Sequence, residues 1–127
     1  MGGTCERFGD TRFVPTEFET GWIAHFLARM DRRQFRHEDR SRIRMRFSDY
    51  WRWSFRTTFE DDDIEIRTRD EIGVDSLTWA SGYPHGDSDW PDSRSTADRI
   101  MADCSPEERH AMTVRNVVAL YCLPIEA

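Results

Sequence analysis

A strand-like lead passes into a polar turn in the segment Trp79-Ala80-Ser81-Gly82-Tyr83-Pro84-His85-Gly86-Asp87-Ser88-Asp89-Trp90-Pro91. The lead begins at Ser76, and the turn that follows is rich in His, Asp and Trp. In barrel enzymes the catalytic groups lie where the carboxyl end of a strand meets its loop. The segment therefore predicts a parallel strand that ends beside candidate site residues, of which His85 and Asp87 are the most promising.

The composition indicates one domain that has many large aromatic side chains but few aliphatic ones to pack between them. A chain of 127 residues fits a single domain, which we place over residues 1–127. Hydrophobic residues make up 38% and charged residues 33%, and the mean hydropathy of -0.76 is lean for an independent globule. The aromatic fraction of 13% argues against plain disorder.

Charge is unevenly distributed along the chain. All 18 basic residues are Arg; 12 of them, against 8 acids, lie in residues 1–56, while residues 57–127 hold 16 acids. The stretch from Arg29 to Arg56 mixes ten Arg with aromatic residues, the composition of a single-strand nucleic-acid binder. The same pattern suits an amphipathic helix and loop whose aromatics pack inward. We favour the packing interpretation, because four acids interrupt the stretch and the net charge is -6.

The cysteines and the apolar runs bear on the compartment. Cys5, Cys104 and Cys122 lie far apart and form no C-x-x-C pair. An odd count without a signal peptide is typical of the reducing cytoplasm, where we place the chain. No apolar run approaches the ~20 residues that span a bilayer, so we expect no membrane partner.

Three short strands separated by helices are predicted. The strands cover Arg12–Glu17, Phe55–Phe59 and Leu77–Ala80. After the first strand, a helix capped by Thr20 should run to about Arg36. Its apolar stripe comprises Trp22, Ile23, Phe26, Leu27 and Met30, with Arg29, Arg32, Arg33 and Arg36 solvated. Strands alternating with helices point to parallel βα units.

Further helices follow from capping signals. Ser48 should cap a short helical turn after a loop or frayed helix end at residues 37–46. A helical segment should follow the acidic run Glu60–Asp63 and extend to Asp70 or Glu71, and Ser95 or Thr96 should start one that ends at Met101. Ser105-Pro106-Glu107-Glu108 is a capping box. The final helix should bury Val114, Val117, Val118, Leu120 and Tyr121 before Pro124.

The residues alone indicate no metal motif. The segment Asp87–Asp92 resembles the start of a calcium loop, but Asp92 stands where the sharp turn needs Gly. The adjacent carboxylates Glu60–Asp63 are typical of a solvated surface. The four histidines (His25, His37, His85 and His110) form no ligand pair. Only His85 has a possible orienting partner close by, the carboxylate of Asp87.

The segment 79–91 resembles the strand-8 signature W-G-S-D-Y-P-H-x-D-x-x-W-P of the amidohydrolase-related family that includes aminocarboxymuconate-semialdehyde decarboxylase. Weaker matches lie at Glu6-Arg7-Phe8, Gly21-Trp22, Ser48-Asp49-Tyr50, Asn116 and Leu120-Tyr121. The resemblance covers nearly the whole chain. It implies an α/β fold that is a partial TIM barrel, roughly the last three βα units of eight, with Met1 near the end of the fifth helix.

The resemblance also implies that the metal ligands are missing. Members of this family are metal-dependent hydrolases or non-oxidative decarboxylases, and intact relatives hold a divalent metal such as zinc. Its ligands are an H-x-H pair on strand 1, a His on strand 5 and the Asp of the strand-8 signature. The first three would precede Met1, and the fourth falls on Gly82. The strand-6 position, a His in some relatives, corresponds to Glu17.

We therefore expect no intact catalytic residue, no metal ligand and no cofactor for this chain alone. The candidate pocket residues are Glu17, His85 and Asp87. The leading hypothesis is a C-terminal fragment of an amidohydrolase-like hydrolase or decarboxylase that is inactive by itself. A second is a subunit that completes a split barrel, in which Gly82→Asp should restore some metal binding. A third is an Arg-rich nucleic-acid-binding module, although we do not expect nucleic acid as a partner.

The expected partners follow from the exposed sheet. A three-strand remnant exposes two strand edges and one sheet face, with Val14, Phe55 and Trp79 poorly covered. We expect a marginally stable monomer, or one that pairs with itself or with a complementary barrel half. A small-molecule substrate is expected only if the barrel is completed.

Overall fold

Three parallel backbone segments form the centre of the fold. The computed structural model describes residues 3–37 and 44–125, except for the side chains of residues 35–37. Strand β1 (Thr57–Phe59) pairs in parallel with β2 (Leu77–Trp79), with Thr57 opposite Leu77 and Phe59 opposite Trp79. Just before β1, Phe55 forms a parallel bridge with Phe13. The predicted second and third strands are confirmed.

The first predicted strand is shorter than Arg12–Glu17. Phe13 donates its N–H to the carbonyl of Ser54 (2.8 Å) and accepts from Arg56 N–H (2.9 Å), and the carbonyl of Pro15 accepts from Thr58 N–H (3.4 Å). Pro15 has no N–H to extend the ladder. Glu17 then adopts a φ of 61°, in the left-handed region, so the extended segment ends before it.

Eight α-helices accompany these segments within the described residues. The helices are α1 (Thr4–Arg7), α2 (Ile23–His37), α3 (Phe47–Ser54), α4 (Asp63–Arg67), α5 (Arg69–Ile72), α6 (Ser93–Ile100), α7 (Pro106–His110) and α8 (Asn116–Tyr121). A 3₁₀ turn, Val74–Ser76, leads into β2, and a π-helical turn, Ala111–Arg115, joins α7 to α8. None of the helices within residues 3–37 and 44–125 is long and apolar enough to cross a bilayer.

The hydrophobic core lies between the strands and the helices that follow them. Phe59 and Leu77 of the sheet and Ile23 and Leu27 of α2 are buried members of this core. The remaining buried members come from the other helices and the turn after α6: Trp51, Ile66, Ile72, Ile100, Met101 and Met112. The core therefore covers one face of the sheet, as expected for strands alternating with helices.

The predicted apolar stripe of α2 is only partly buried. Ile23 and Leu27 are buried and Met30 is half-buried, but Trp22 is 49% exposed and Phe26 is 43% exposed. The prediction was wrong for Trp22 and Phe26 because α2 packs against α3 and α5 and buries its Ile23 and Leu27 side. Arg29, Arg32 and Arg33 are exposed, as predicted. The side chain of Arg36 lies outside the described residues.

Thr20 does not cap α2 with its side chain, contrary to prediction. Its Oγ1 is buried and has no hydrogen-bond partner among the described residues. Instead, Asp62 Oδ2 accepts from the N–H groups of Thr20 (3.2 Å) and Gly21 (2.8 Å). A charged carboxylate from another loop is a stronger acceptor for these free amides than a hydroxyl. Asp62 Oδ1 also caps α4, through Ile64 and Glu65, so this side chain joins two loops.

Two other predicted caps are displaced, and one is confirmed. Helix α3 begins at Phe47, and Ser48 Oγ donates to Asp31 Oδ2 (2.6 Å) on α2 rather than capping. Helix α6 begins at Ser93, ahead of the predicted Ser95 or Thr96. The capping box at Ser105 is present, with Glu108 N–H donating to Ser105 Oγ (3.2 Å) and Ser105 N–H to Glu108 Oε2 (2.8 Å). The loop or frayed end predicted for residues 37–46 falls largely on residues 38–43, outside the described ranges.

The last helical stretch buries a different set of residues from the one predicted. Val118 is buried, but Val114, Val117 and Leu120 are half-buried and Tyr121 is 59% exposed. The π-helical turn accounts for the difference, because its wider winding rotates the face that follows it. Asn116 takes an inward position instead, and its amide donates to the carbonyls of Val74 (2.8 Å) and Leu77 (2.7 Å).

Candidate active site

The ends of the three parallel segments bring acidic side chains together. Glu17 follows the segment at Phe13, Glu60 follows β1 directly, and Gly82 follows β2. A pocket of about 340 Å³ opens at this end. It is lined by Glu19, Glu60, Asp61, Asp87, Ser88 and Asp89, and we call it the acidic pocket. None of these six lining residues is basic.

Glu60 is the most perturbed group of the acidic pocket. Partial burial raises its pKa to about 7, and the charges of Glu17 and Glu19 act in the same direction. A hydrogen bond between the Glu60 and Glu17 side chains raises it further. Such a bond requires one of the two carboxyl groups to be protonated. Glu60 is therefore protonated in part at neutral pH.

Gly82 is packed directly against the Glu60 carboxyl group. Ala80 donates its N–H to the Phe59 carbonyl (2.9 Å), which brings the end of β2 beside Glu60. A Cβ at position 82 would lie 2.7 Å from Glu60 Cδ and closer still to both carboxylate oxygens. Gly82 also has a φ of 67°, which favours glycine. Glu60 thus fills the space that a side chain at position 82 would need.

The loop after Gly82 is held by its own hydrogen bonds. Ser88 Oγ donates to the Ser81 carbonyl (2.7 Å) and accepts from Trp90 N–H (3.1 Å). Asp89 Oδ1 accepts from Ser93 Oγ (2.7 Å) at the start of α6. Asp89 Oδ2 is buried and has no hydrogen-bond partner in the described part of the chain. The loop therefore positions Asp89 firmly while leaving one oxygen available.

The three candidate pocket residues have different positions. Asp87 is exposed and lines the acidic pocket, and Glu17 is exposed and bonds to Glu60. His85 is exposed and lies outside the pocket lining; its backbone N–H donates to the Gly82 carbonyl (2.8 Å). Within the described residues, no hydrogen bond joins the side chains of His85 and Asp87. The structure thus brings together Glu17 and Asp87 at this end but not His85 as an oriented imidazole.

The connection from Glu17 to α2 is conformationally strained. Glu17 and Glu19 have φ values of 61° and 45°. Such values cost energy for residues other than glycine and concentrate at functional sites. Partial burial raises the pKa of Glu19, and the negative charge of Asp62 adds to the effect. The strained segment therefore holds Glu17 and Glu19 where their like charges repel.

Several acidic residues were not predicted from the sequence. Glu60 could have been found, because it is the first residue after the strand Phe55–Phe59. Glu65 on α4 carried no signal: it is fully buried, while its neighbour Ile64 is 60% exposed. Both Glu65 carboxylate oxygens lack hydrogen-bond partners among the described residues. Burial raises the pKa of Glu65 to about 10, with smaller contributions from Asp62 and Glu19.

The residues present do not fit the zinc that the family resemblance implies. Structural and catalytic zinc sites rely largely on His and Cys ligands. The lining of the acidic pocket offers five carboxyl groups and the Ser88 hydroxyl but no His or Cys, and one of its carboxyl groups, Glu60, is protonated in part at neutral pH. Within residues 3–37 and 44–125, no group of three or more His, Cys, Asp or Glu side chains converges as metal ligands would.

Most aromatic side chains of the Arg-rich stretch pack inward where it is described, although Trp53 is exposed. Tyr50 and Trp51 are buried. Phe55 stacks on Trp51 (ring centroids 4.9 Å apart) and on Phe13 (5.0 Å). These side chains form the wall of a second cavity, of about 540 Å³, rather than a solvent-facing stacking platform. We call this cavity the aromatic groove; its main lining residues are Phe13, Trp22, Phe26, Tyr50, Trp51 and Phe55.

Comparison with known proteins points to one family. A sequence profile of the amidohydrolase family (Amidohydro_2) matches residues 1–123. Among solved structures, 2,6-dihydroxybenzoate decarboxylase complexed with 2,6-dihydroxybenzoate matches with a TM-score of 0.67 and 19% sequence identity. The match covers 95% of this chain and 37% of that one, so this chain spans well under half of its structural neighbour. No curated protein sequence matches.

Proposed function

Because this chain belongs to the amidohydrolase family, we propose that it is the C-terminal part of a hydrolase or decarboxylase barrel, inactive by itself. In this proposal residues 1–127 form one barrel segment, and the segments at Phe13, β1 and β2 are the last three strands of eight. The observation that carries the proposal is the exchange of carboxyl groups at the strand ends, where the Glu60 carboxyl lies against Gly82. The family's strand-8 Asp is replaced by Gly82, and the Glu60 carboxyl group fills the vacated space.

The strand arrangement supports the barrel assignment. The three segments are parallel and adjacent, and each is followed by one or more helices. Their carboxyl ends meet at the acidic pocket, which is the end of a TIM barrel that carries catalytic groups. The amidohydrolase profile extends over 123 residues, so the likeness is not confined to the segment 79–91.

The chemistry of the acidic pocket argues against activity of this chain alone. Glu60, whose pKa is raised to about 7, can accept or donate a proton near neutral pH. However, the pocket holds five carboxyl groups and none of its lining residues is basic. The solved neighbour was crystallised with 2,6-dihydroxybenzoate, an anion at neutral pH. Like charges repel, so a carboxylate substrate requires cationic groups that this pocket does not supply.

An activity assay tests the inactive assignment. The purified chain is incubated with Zn²⁺ and 2,6-dihydroxybenzoate, and release of CO₂ is followed. We expect no release above a protein-free control. Turnover that Glu60→Gln abolishes, and that the exposed-site control Glu107→Gln leaves intact, would contradict the assignment.

A second candidate function is a subunit that completes a split barrel. The unpaired strand edge at Phe13 and the large uncovered part of the structural neighbour favour it. The test is co-expression of the tagged chain with the product of a reading frame upstream of Met1 that encodes the H-x-H half. Co-purification of a stable complex supports this candidate, and separate elution of the two chains counts against it.

The structure indicates that restoring metal binding in a completed barrel needs more than the single substitution Gly82→Asp. Gly82→Asp alone is not expected to restore metal binding, because the new side chain must displace the Glu60 carboxyl group and the φ of 67° strains any side chain at this position. The double variant Gly82→Asp, Glu60→Ala removes the obstacle and returns the carboxylate to the strand-8 position. In a reconstituted barrel, metal affinity should rise in the double variant and not in the single one.

A further inference from the structure

Another pocket lies at the opposite end of the strands from the acidic pocket. It has a volume of about 410 Å³, and its described lining residues are Glu6, Arg7, Arg44, Met45 and Trp53. These residues belong to α1, to α3 and to the segment just before α3, which lead into the strands at their amino ends. A closed barrel covers the edges of its sheet but not its two ends. Completion of the barrel therefore leaves this pocket, which we call the arginine pocket, open.

Two guanidinium groups in the arginine pocket are available to an anion. Arg7 and Arg44 are exposed, and neither forms an ion pair with a carboxylate within residues 3–37 and 44–125. The Arg7 guanidinium lies over the Phe8 ring, 5.8 Å from its centroid. Guanidinium groups bind phosphate oxygens through paired hydrogen bonds. Two of them in one pocket favour a doubly charged phosphate monoester over a singly charged carboxylate.

Trp53 gives the arginine pocket an aromatic face. The residue is 38% exposed, and its ring stacks on Tyr50 with the centroids 6.3 Å apart and the planes at 28°. Gly9 approaches the same ring so closely that a Cβ there would lie 3.1 Å from it. The ring is thus held in place on two sides while part of it faces solvent. Planar bases stack on aromatic side chains presented in this way.

Glu6 adds a hydrogen-bond acceptor to the arginine pocket. Its Oε1 accepts from the Tyr50 hydroxyl and from the Arg44 N–H (2.8 Å), and no described donor bonds to its Oε2. The Tyr50 hydroxyl, with a smaller contribution from Arg44, lowers the pKa of Glu6, so this side chain is ionised at neutral pH. A carboxylate accepts from sugar hydroxyls and ring amino groups but repels a ligand that is anionic throughout. The pocket therefore suits a ligand with one anionic end and neutral donors.

The size of the arginine pocket favours one nucleotide over a strand. A volume of about 410 Å³ lies in the range of small-molecule sites. Sites for single-stranded nucleic acid take about 4–16 nucleotides and stack successive bases on several rings. Trp53 is the one ring among the described lining residues. A single base and a single phosphate therefore match the groups that this pocket presents.

We propose that the arginine pocket binds a nucleoside monophosphate, with the base stacked on Trp53, the phosphate held by Arg7 and Arg44, and a sugar or base donor on Glu6. The proposal goes beyond the assignment of the acidic pocket and does not depend on it.

Calorimetric titration of the full chain with adenosine 5′-monophosphate tests the proposal. We expect a dissociation constant on the order of 100 μM, and binding at least about tenfold weaker for adenosine and for inorganic phosphate, since each lacks half of the contacts. Absence of binding up to about 5 mM nucleotide would overturn the proposal. Equally tight binding of inorganic phosphate or 2,6-dihydroxybenzoate would also overturn it, because the pocket would then be a general anion site. Binding of a short oligo(dA) strand more than about tenfold tighter than the mononucleotide would reassign the surface to single strands.

Paired arginine variants locate the bound phosphate. The double variant Arg7→Gln, Arg44→Gln changes exposed side chains only, and nucleotide binding should weaken at least about tenfold. The control Arg67→Gln, Arg94→Gln removes the same charge from exposed positions of α4 and α6, and binding should change less than about twofold. Equal weakening by the two double variants would show a non-specific charge effect and contradict the proposed site.

The indole N–H signal of Trp53 gives a readout on the unmodified protein. Trp53→Phe identifies this signal in the nuclear magnetic resonance spectrum by its loss. The signal should shift on titration with adenosine 5′-monophosphate, whereas that of Trp90, an exposed ring at the acidic end, should not. A Trp53 signal that stays in place while the nucleotide binds would place the ligand elsewhere and refute the proposal.

Discussion

The acidic pocket and the aromatic groove depart from a stable globule in opposite ways. The pocket crowds five carboxyl groups around the strand ends, and the pKa of Glu60 rises to about 7 as a result. The groove leaves Trp22 and Phe26 49% and 43% exposed, although their spacing on α2 predicts burial. One region concentrates negative charge, and the other leaves apolar surface exposed. Both conditions are expected of a segment that packs against further structure in its family.

The largest effect should come from Glu65, the fully buried acid on α4. Its pKa is about 10 in the folded chain and near 4.5 when unfolded. Between these values the unfolded state releases a proton that the folded state retains, so stability falls as pH rises from 4.5 to about 10. Glu65→Gln should remove this loss. We expect the variant to exceed the wild type by on the order of 3 kcal/mol at pH 7, measured by urea unfolding.

The difference between Glu65→Gln and the wild type should vanish near pH 4, where both states of the wild type are protonated. Glu107→Gln, at an exposed position of α7, provides the matched control and should show no such trend. A difference between Glu65→Gln and the wild type that is constant with pH would show that Glu65 is not buried as a neutral acid.

Substitution of Gly82 should be the next largest effect. Gly82→Asp places a Cβ against the Glu60 carboxyl group at a φ of 67°. We expect a loss of about 2–3 kcal/mol in the free energy of unfolding, from backbone strain and crowding together. Gly86→Asp is the control, because a Cβ there meets nothing within 4 Å.

The double variant Gly82→Asp, Glu60→Ala should recover about half of that loss, since only the strain remains. If the two substitutions were simply additive, Glu60 would not occupy the space above Gly82, and the exchange at the strand ends would be refuted.

The stacked wall of the groove should contribute less. Phe55→Leu removes the ring contacts with Trp51 and Phe13 while retaining apolar volume. We expect a loss of about 1–2 kcal/mol, measured at low concentration to avoid association. Phe8→Leu, at a side chain that is 57% exposed, should cost less than about 0.5 kcal/mol. Equal losses for the two variants would mean that the wall is not packed as described.

Glu60→Gln should produce the smallest effect. The raised pKa of Glu60 means that stability falls as pH rises from 4.5 to about 7, because only the unfolded state ionises fully in that range. Glu60 is partly solvated, so the gain from Glu60→Gln should be below about 1 kcal/mol and complete by pH 8. Thermal unfolding at pH 5 and pH 8 measures it. A gain at pH 5 equal to that at pH 8 would contradict the assigned pKa.

Much of the fold was predictable from local signals. The strands at Phe55–Phe59 and Leu77–Ala80 and the capping box at Ser105 follow from residue types close in sequence. The errors involve distant partners. Asp62 displaces Thr20 as acceptor from 42 residues away, and Asp31 draws Ser48 away from its cap. The π-helical turn rotates the last helix in a way that apolar spacing does not reveal.

The site was harder to predict than the fold. The segment 79–91 located the correct end of the strands and the glycine at its centre. The position of Glu60 over Gly82 depends on how β1 and β2 align, which spacing along the chain cannot show. Glu65 is buried beside an exposed Ile64, the reverse of what hydropathy predicts. The side chains with the largest pKa shifts were therefore the ones that the sequence concealed.

Calorimetric titration of the purified chain with Zn²⁺ at pH 7 tests the central claim most directly. We expect no stoichiometric binding tighter than about 10 μM, because the acidic pocket has neither His nor Cys in its lining and Glu60 is protonated in part. One-to-one submicromolar binding that disappears in Glu60→Gln would contradict it, and would make this end of the chain a metal site in its own right.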